Sequence, residues 1–518
     1  MNHKHMEQET YDLLVVGGGI NGVGIALDAA GRGLKVALCE MNDLASATSS
    51  NSSKLIHGGL RYLEHYEFRL VREALSEREL LLKKAPHIMR PLRFRMPHRP
   101  HLRPAWMIRA GLFLYDHLSK RQFLPGSHGV RFSDKGPLKA NIKRGFEYSD
   151  GWVDDARLVV LNAIAAREKG ANIMTRTRCV KAERKDNLWQ VTLKDQITGK
   201  SKQVTSRALV NAAGPWVTNL FDKALPTQSP QNIRLIKGSH IIVPKLHDEP
   251  QAYILQNEDH RIVFVIPYEE NFSLIGTTDV EHHGDPSNAK ISEQEVDYLV
   301  SVVNDHFKQQ ITSDNIVSTY AGVRPLMDDE SDSPQALTRD YTFEIERPQD
   351  KAPLLSVFGG KITTYRKLAE AAINRLTEYF PHATPSWTAT PPLPGGDFSD
   401  KNSLQQALQQ QYPWLAENLA KRYVRSYGTL SFNLLSKTKS VENLGQHFGK
   451  GLYQREVDHL IEHEWAMTAE DILWRRSKLG LYMSNEQQES LVDYLHDRLD
   501  SSKVQPFSAS DSMPYKTA

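Results

Sequence analysis

The stretch YDLLVVGGGINGVGIALDAAGRGLKVALCE, residues 11–40, decides the fold. A short apolar run at 13–16 is stopped by glycines, and a segment of helical composition follows from Ile20 to Arg32. A second apolar run extends from Leu34 to Cys39. A short apolar run, a helix and a second apolar run in this order predict a β-α-β unit.

The glycines between the first strand and the helix have the spacing G-x-G-x-x-G. Gly17 permits the tight turn, Gly19 lets a backbone approach a pyrophosphate, and Gly22 lets helix and strand pack closely. The N-terminus of the helix offers N–H groups and a positive dipole end to phosphates. Glu40 closes the second strand, where its carboxylate can accept the ribose hydroxyls and disfavours a 2′-phosphate. This element alone leaves FAD and NAD open.

The composition bounds the class of protein. The 518 residues suggest two to four domains, at about 150 residues each. A hydrophobic fraction of 40% and a formal net charge of +2 exclude a disordered chain and give no overall basic excess for nucleic acid. Two cysteines, Cys39 and Cys179, are too few for a disulfide framework and too far apart for a zinc motif, so we expect a reducing compartment and no metal. No apolar run approaches the roughly 18 residues that a membrane span requires.

The rest of the chain divides into segments of different character. The pattern predicts one long charged helix over Leu60 to Lys84 and several β-rich runs, in a largely antiparallel sheet, between Ile233 and Thr278. Five prolines and two glycines at 381–397 indicate a connector, and the Gln- and Leu-rich region 403–500 indicates a helical appendage.

Further blocks of sequence carry a resemblance to a known family. With GGGINGVGIALDAAGRG at the start, the blocks are ATSSNSSKLIHGGLRYLE, PHRPHLRPAW, RLIKGSH, IGTTD, GVRPL, SPQALTRDYT, FGGKITTYRKLAE and HEWAMTAEDILWRRSKLGL. Together they resemble the FAD-dependent glycerol-3-phosphate dehydrogenases of the aerobic, respiratory type. The resemblance implies an α/β plus α+β fold, with a Rossmann-like FAD-binding domain of the amino-acid-oxidase type, an antiparallel-sheet substrate domain and a helical C-terminal cap.

The resemblance also implies domain boundaries. The FAD-binding domain is expected to be discontinuous, over residues 9–75, 145–220 and 339–393. The substrate domain is expected over 76–144 and 221–338, the cap over 395–508 and a flexible tail over 509–518.

FAD is expected to be bound noncovalently. By the resemblance, the pyrophosphate side is held by Thr48, Ser52, Ser53 and Lys54, the adenine is flanked by Val180, and the turn at 211–214 approaches the nucleotide. A Gly-Gly turn that opens a helix at Ile362 would aim backbone donors at the flavin N1/O2 edge. The full expected set is Gly17, Gly19, Asn21, Gly22, Glu40, Thr48, Ser52, Ser53, Lys54, His57, Gly58, Val180, Ala213, Gly214, Gly360, Lys361, Ile362 and Thr363, with His57 as a contact and not a covalent anchor.

The resemblance implies a substrate site with a phosphate clamp and a base. Arginine suits the clamp, because its planar fork matches phosphate oxygens in a bidentate way. Arg339, with Arg61 and Tyr62, is expected to hold phosphate, and Arg324 to stabilise a developing alkoxide. His240 is the expected base, since Arg324 as the rival proton acceptor is effectively always protonated. In addition, Thr277 and Lys361 are expected to form hydrogen bonds with the substrate.

The segment Leu80 to Tyr115 contains eight Lys or Arg residues and no Asp or Glu. Pro104 can begin a helix with Trp106, Phe113 and neighbouring apolar side chains along one side, which predicts contact with an anionic membrane surface. A buried subunit interface and an RNA-binding patch are the alternatives on composition alone. The resemblance favours the membrane, with a cytoplasmic enzyme bound peripherally to the inner face of the cytoplasmic membrane and a possible homodimer.

The expected reaction is oxidation of sn-glycerol 3-phosphate to dihydroxyacetone phosphate, with electrons passed from FAD to a ubiquinone-type acceptor. Two alternatives remain at this point. One is a glycerol-3-phosphate oxidase that gives its electrons to oxygen, and the other is a non-catalytic protein that holds FAD structurally.

Overall fold

A computed structural model describes residues 9–328, 340–346 and 351–499, apart from the side chains of residues 61, 64 and 65. The N-terminal stretch forms the predicted β-α-β unit, with strand Thr10–Val16, helix Ile20–Gly31 and strand Val36–Cys39. The two strands pair in parallel, with Leu14 opposite Ala37. The helix is buried along most of its length, as expected for a helix that covers a sheet.

The first sheet contains this unit. Its central strands run parallel, in the order Leu354–Phe358, Ser201–Asn211, Thr10–Val16, Val36–Cys39 and Asn172–Met174. Antiparallel additions extend it with Thr177–Lys185, Leu188–Asp195 and Thr342–Glu346. The carboxyl ends of the parallel strands lie at one edge, which is where nucleotides bind in folds of this type.

The second sheet is almost entirely antiparallel, and this confirms the prediction for the β-rich middle of the chain. The one parallel pair among its described strands joins Ala252–Gln256 to Met89–Pro97. Its strands are Leu55–Ile56, Met89–Pro97, His128–Arg131, Arg144–Val153, Ile233–Pro244, Ala252–Gln256, Ile262–Tyr268, Phe272–Gly276, Val280–Glu281 and Ser318–Met327.

Sheet membership subdivides the chain more finely than the expected boundaries. Leu55–Ile56 and Arg144–Val153 pair with each other in the second sheet. The first strand lies in the segment 9–75 and the second lies almost entirely in 145–220, and both segments were expected to belong to the FAD-binding domain. The boundaries themselves stay a prediction.

Helices cover the two sheets. They are Ile20–Gly31, Phe68–Lys84, Ala105–His117, Asp155–Glu168, Val217–Lys223, Glu293–His306 and Tyr365–Asn374. The prediction of one continuous helix from Leu60 to Lys84 was wrong. A 3-10 helix at Leu60–His65 ends at Tyr66, whose φ of 59° is left-handed, and the α-helix begins only at Phe68. A left-handed residue interrupts the helical hydrogen bonds, which the side-chain pattern does not reveal.

The predicted helical C-terminal region is confirmed. After the connector it forms Lys401–Gln411, Glu417–Tyr427, Leu430–Leu434, Gln454–Glu464 and Asn485–Leu499, with a small hairpin of His447–Gly449 and Leu452–Tyr453. A π-helical turn at Asp471–Arg476 lies before the last helix. The cap shares one buried apolar core with the helices on the first sheet.

The basic segment 80–115 is mostly built into the protein. Arg93 and Arg95 lie on a strand of the second sheet and both pair with Glu147, and Arg99 pairs with Asp305. The charges of these three arginines are therefore neutralised within the protein, and the predicted membrane contact does not rest on them. Phe94 is likewise buried, at 1% exposure.

The helix Ala105–His117 is the part of this segment that presents apolar side chains to solvent. Trp106 is 69% exposed and Phe113 is 54% exposed, whereas Leu112 and Tyr115 are buried and attach the helix to the body. The Tyr115 hydroxyl donates to Asp150. Within the described chain, no helix has the length and apolar character needed to cross a membrane.

Candidate active site

The glycine turn between the first strand and its helix is tightly packed. A Cβ on Gly22 would lie 1.9 Å from the Gly17 carbonyl oxygen, and one on Gly17 would lie 2.4 Å from the Ala212 carbonyl oxygen. Gly17 also has a φ of +115°, a conformation that favours glycine. The helix begins after Gly19, which supplies no side-chain cap, and the positive end of its dipole favours an anion at this turn.

Glu40 lies at the carboxyl end of the second strand, beside this turn. Its carboxylate accepts hydrogen bonds from the backbone N–H of Gly18 at 2.6 Å and of Asn42 at 2.8 Å. Burial raises the pKa of Glu40, and the two backbone donors offset part of that rise. The carboxylate lines the cavity described below, as its predicted contact with a ribose requires.

The hydroxyl-rich stretch 47–54 folds over the glycine turn. Ser49 Oγ accepts from the backbone N–H of Ile20 at 3.0 Å, and Thr48 Oγ1 donates to the Val323 carbonyl at 2.6 Å. Both residues line the cavity. The stretch is therefore a second loop beside the helix N-terminus.

Lys54 does not reach this cavity. Its ammonium is buried and lies 2.8 Å from Asp155 Oδ1, and it also donates to the Ser50 carbonyl. Ser52 Oγ donates to the other oxygen of Asp155 at 2.7 Å. The predicted contact of Lys54 with the pyrophosphate does not fit this geometry, because a carboxylate some 100 residues away in sequence already binds its charge. Lys54 shapes the loop instead.

His240 lies on strand Ile233–Pro244, between Tyr320 and Gly276 on the neighbouring strands. Its ring stacks on Tyr320 at a centroid distance of 4.7 Å, and its Nε2 is 2.8 Å from Ser53 Oγ. Burial, with the positive charges of Lys54 and Arg324, holds the pKa of His240 well below its ordinary value. The imidazole is therefore neutral near pH 7 and can accept a proton.

Arg324, Lys361 and Tyr62 were also predicted, and they line the same cavity as His240. Arg324 forms an ion pair with Asp279 at 2.8 Å and donates to the Thr278 carbonyl, so its guanidinium is held in place. The Lys361 ammonium lies 3.9 Å from the centre of the Tyr62 ring, which is a cation–π contact.

The Gly359-Gly360 turn has φ values of +78° and +99° and leads into the 3-10 helix Ile362–Thr364 and the α-helix Tyr365–Asn374. Asn21 donates to the Gly359 carbonyl at 3.3 Å, which joins this turn to the first glycine turn. The predicted opening of a helix after two glycines is confirmed.

One cavity of about 340 Å³ joins these elements. The predicted residues that line it are Gly17, Gly19, Asn21, Glu40, Thr48, Ser52, Ser53, His57, Tyr62, Ala213, Gly214, His240, Thr277, Arg324, Gly360, Lys361, Ile362 and Thr363.

Several predicted residues do not line the cavity. Lys54 pairs with Asp155, and the Gly58 N–H donates to the Tyr115 hydroxyl, so neither residue is part of the lining. Gly22 acts through close packing of helix and turn. Val180 does not line the cavity, although Thr177, Arg178 and Cys179 of the same strand do. Arg339 lies outside the described residues, as does the side chain of Arg61.

Other functional residues were missed by sequence reasoning. Asp155 and Asp279 hold Lys54 and Arg324, and Tyr320 stacks on His240. Each contacts its partner across a long sequence separation, and no local motif signals such a pair. Ser49 belongs to the hydroxyl-rich stretch, so that pattern could have identified it.

Comparison with known proteins agrees with this geometry. A family model described as FAD dependent oxidoreductase matches residues 12–352, and one described as the C-terminal domain of alpha-glycerophosphate oxidase matches residues 386–504. The glycerol-3-phosphate dehydrogenase of Pseudomonas aeruginosa is 62% identical, over 94% of this chain and 95% of its own length. The aerobic glycerol-3-phosphate dehydrogenase of Escherichia coli K12 is 59% identical, over 95% of this chain and 99% of its own.

The chain belongs to the FAD-dependent glycerol-3-phosphate dehydrogenases. The structure of the Bacillus halodurans glycerol-3-phosphate dehydrogenase complexed with FAD matches with a TM-score of 0.76 and 26% identity, over 96% of this chain and 92% of that one. The expected fold and the FAD cofactor are confirmed. The glycine turns, which a Cβ would fill, and the acceptor at Glu40 fit a dinucleotide of this kind.

Proposed function

We propose that this protein oxidises sn-glycerol 3-phosphate to dihydroxyacetone phosphate. The observation that carries the proposal is that the His240–Ser53 hydrogen bond, Arg324 and Lys361 line the same cavity as the two glycine turns. A neutral imidazole and fixed cations suit a substrate that carries a hydroxyl to be deprotonated and a phosphate dianion. The names of the 62% and 59% identical relatives support this substrate.

The reaction removes a proton and a hydride from the C2 carbinol. Bound FAD supplies the acceptor for the hydride. His240 takes the C2 hydroxyl proton, either directly or through the Ser53 hydroxyl that it contacts.

The other polar residues have supporting roles in this proposal. Arg324, held by Asp279, stabilises the alkoxide that develops at C2, and Thr277 adds a hydrogen bond. Arg339, Arg61, Tyr62 and Lys361 bind the phosphate end. The Gly360–Thr363 turn offers its N–H groups to the flavin, and Glu40 accepts the ribose hydroxyls.

We propose a membrane quinone as the electron acceptor and the helix Ala105–His117 as the contact with the membrane. The exposed Trp106, Phe113 and Leu114 can insert at the headgroup boundary, with Arg103 and Arg109 nearby in sequence. In this proposal the protein is bound peripherally to the inner face of the cytoplasmic membrane. The arginines earlier in the segment do not contribute in the same way, because Arg93, Arg95 and Arg99 are ion-paired within the protein.

Steady-state turnover tests the substrate and the acceptor together. We expect reduction of a short-chain ubiquinone with sn-glycerol 3-phosphate, and no turnover with glycerol, which lacks the phosphate. The peroxide formed in air should be a small fraction of product. Peroxide equal to product, at a rate that quinone does not change, would instead identify an oxidase.

A further inference from the structure

The cap contacts the loop that forms the Glu40 end of the cavity. We call residues 40–47 the adenosine loop and the π-helical turn Asp471–Arg476 the cap turn. Glu40, Asn42 and Ala45 of the loop line the cavity. The loop therefore borders the cavity on one side, while the cap turn lies against its other side.

Asp43 is the main link between the two. Its side chain is fully buried, and its Oδ2 accepts from Arg475 Nε at 2.6 Å and from Arg476 Nη1 at 2.6 Å. Its Oδ1 accepts from Arg476 Nη2 at 2.8 Å, so Arg476 binds the carboxylate with both arms of its fork. Charge-assisted, bidentate contacts of this kind are strong and directional.

A second link runs through Arg176. Its backbone N–H donates to the Asn42 carbonyl at 2.9 Å, and its guanidinium pairs with Asp471 at 2.6 Å. Burial alone would raise the pKa of Asp471, but the guanidiniums of Arg475 and Arg176 outweigh it and hold the pKa well below its ordinary value. The ion pairs therefore persist across the physiological pH range.

The linking side chains do not touch the cavity. Among the residues that line it, the structure includes neither Asp43 nor Arg176, nor any residue of the cap turn. Any influence of these side chains on the cofactor must pass through the backbone, either that of the adenosine loop or that of Thr177, which lines the cavity and donates to the Glu40 carbonyl at 2.7 Å. Removal of one partner from a buried ion-pair network is strongly destabilising, so loss of Arg476 would favour a shift of the backbone that carries Asp43.

We infer that Arg475 and Arg476 are positioning residues for FAD. By holding Asp43, they keep the adenosine loop in the conformation that places Glu40 for the ribose. Binding of FAD and docking of the cap turn are then thermodynamically linked, and the linkage is reciprocal. This role would be the same for any substrate, so it stands apart from the proposed reaction.

Titration of the apoprotein with FAD tests the linkage without any substrate. We expect Arg476→Gln to raise the Kd for FAD by roughly 5- to 150-fold, the range of typical coupling between two sites. ADP carries only the adenosine half of FAD and competes with it for the site. The Kd for ADP should rise by the same factor in Arg476→Gln. Arg476→Lys, which keeps the charge but loses the fork, should restore part of the affinity.

Arg422→Gln is the matched control. Arg422 binds both oxygens of the buried Glu456 at 2.6 Å, entirely within the cap. We expect it to lower the melting temperature of the apoprotein while the Kd for FAD and ADP stays within about twofold. If Arg476→Gln behaves like this control, the cap turn is only structural and the inference is wrong.

Hydrogen exchange on the unaltered protein gives a second test that needs no variant to fold. We expect FAD to slow exchange of the amides of the cap turn, together with those of the adenosine loop. Amides of Lys401–Gln411, a cap helix away from this contact, should be unchanged. Protection confined to the loop, with unchanged exchange in the cap turn, would overturn the inference.

Discussion

His240 Nε2 and Ser53 Oγ are 2.8 Å apart, although 187 residues separate them in sequence. The strand that carries His240 belongs to the second sheet, and Ser53 ends the loop that folds over the first glycine turn. Tyr320 stacks on one face of the imidazole and fixes its plane. The hydrogen bond therefore joins the nucleotide loop to the predicted base.

Replacement of the base should slow the chemical step. We expect His240→Asn to lower the rate of flavin reduction by about 10²- to 10⁴-fold, the usual contribution of a general base, while FAD stays bound. Stopped-flow absorbance at the flavin band measures this rate. Reduction at the parental rate would contradict the role of His240.

Ser53 should act together with His240. We expect Ser53→Ala to slow flavin reduction by roughly tenfold, since one hydrogen bond of about 1.5 kcal/mol is lost. The Ser53→Ala/His240→Asn double variant should be no slower than His240→Asn alone, because residues that act as a unit are not additive. Fully multiplicative effects would show that the two residues act independently.

The depressed pKa of His240 predicts a pH dependence. Because the folded protein keeps the imidazole neutral below its ordinary pKa of 6.5, flavin reduction should stay constant from about pH 7.5 to about pH 6.5 and fall only at lower pH. The unfolded chain binds this proton at higher pH than the folded one, so this group lowers stability as pH falls below 6.5. A rate that halves near pH 6.5 or above would contradict the assignment.

The glycine turn gives a prediction about cofactor binding. Gly22→Ala places a methyl group 1.9 Å from the Gly17 carbonyl, so the turn must shift. Overpacking costs about 1–3 kcal/mol, and we expect the Kd for FAD to rise by about 5- to 150-fold. Gly111→Ala is the control, since a Cβ there meets nothing within 4 Å and should leave FAD binding unchanged.

Membrane contact should depend on the exposed helix. We expect Trp106→Ser/Phe113→Ser to lower binding to anionic vesicles by more than about 100-fold, since burial of each ring contributes about 1.5–3 kcal/mol. Activity toward a soluble dye should not change. Val492→Ser, which alters a cap side chain that is 51% exposed, is the control. Unchanged vesicle binding of the double variant would exclude this helix as the contact.

Local patterns in the sequence were sufficient to predict three features of the fold. The first β-α-β unit, the antiparallel middle region and the helical cap follow from periodicity and glycine spacing within short windows. The break at Tyr66 was missed because a single left-handed residue leaves the apolar pattern intact. Most of the site residues that the resemblance implied line the cavity, yet it misplaced Lys54, whose charge is bound by Asp155.

Contacts between distant segments could not be predicted. The carboxylate of Asp43 is 433 residues from Arg476 in sequence, and each is an ordinary charged residue in its own segment. The composition of 80–115 likewise predicts that its arginines contact a membrane, whereas in the structure Arg93 and Arg95 form ion pairs with Glu147. Which charges are neutralised inside the fold depends on tertiary packing.

Anaerobic titration of the oxidised holoprotein with sn-glycerol 3-phosphate tests the central claim most directly. The account predicts that the yellow flavin band bleaches with substrate, and that dihydroxyacetone phosphate appears in an amount equal to the flavin reduced. Flavin that stays oxidised in the presence of excess sn-glycerol 3-phosphate would contradict the proposed reaction.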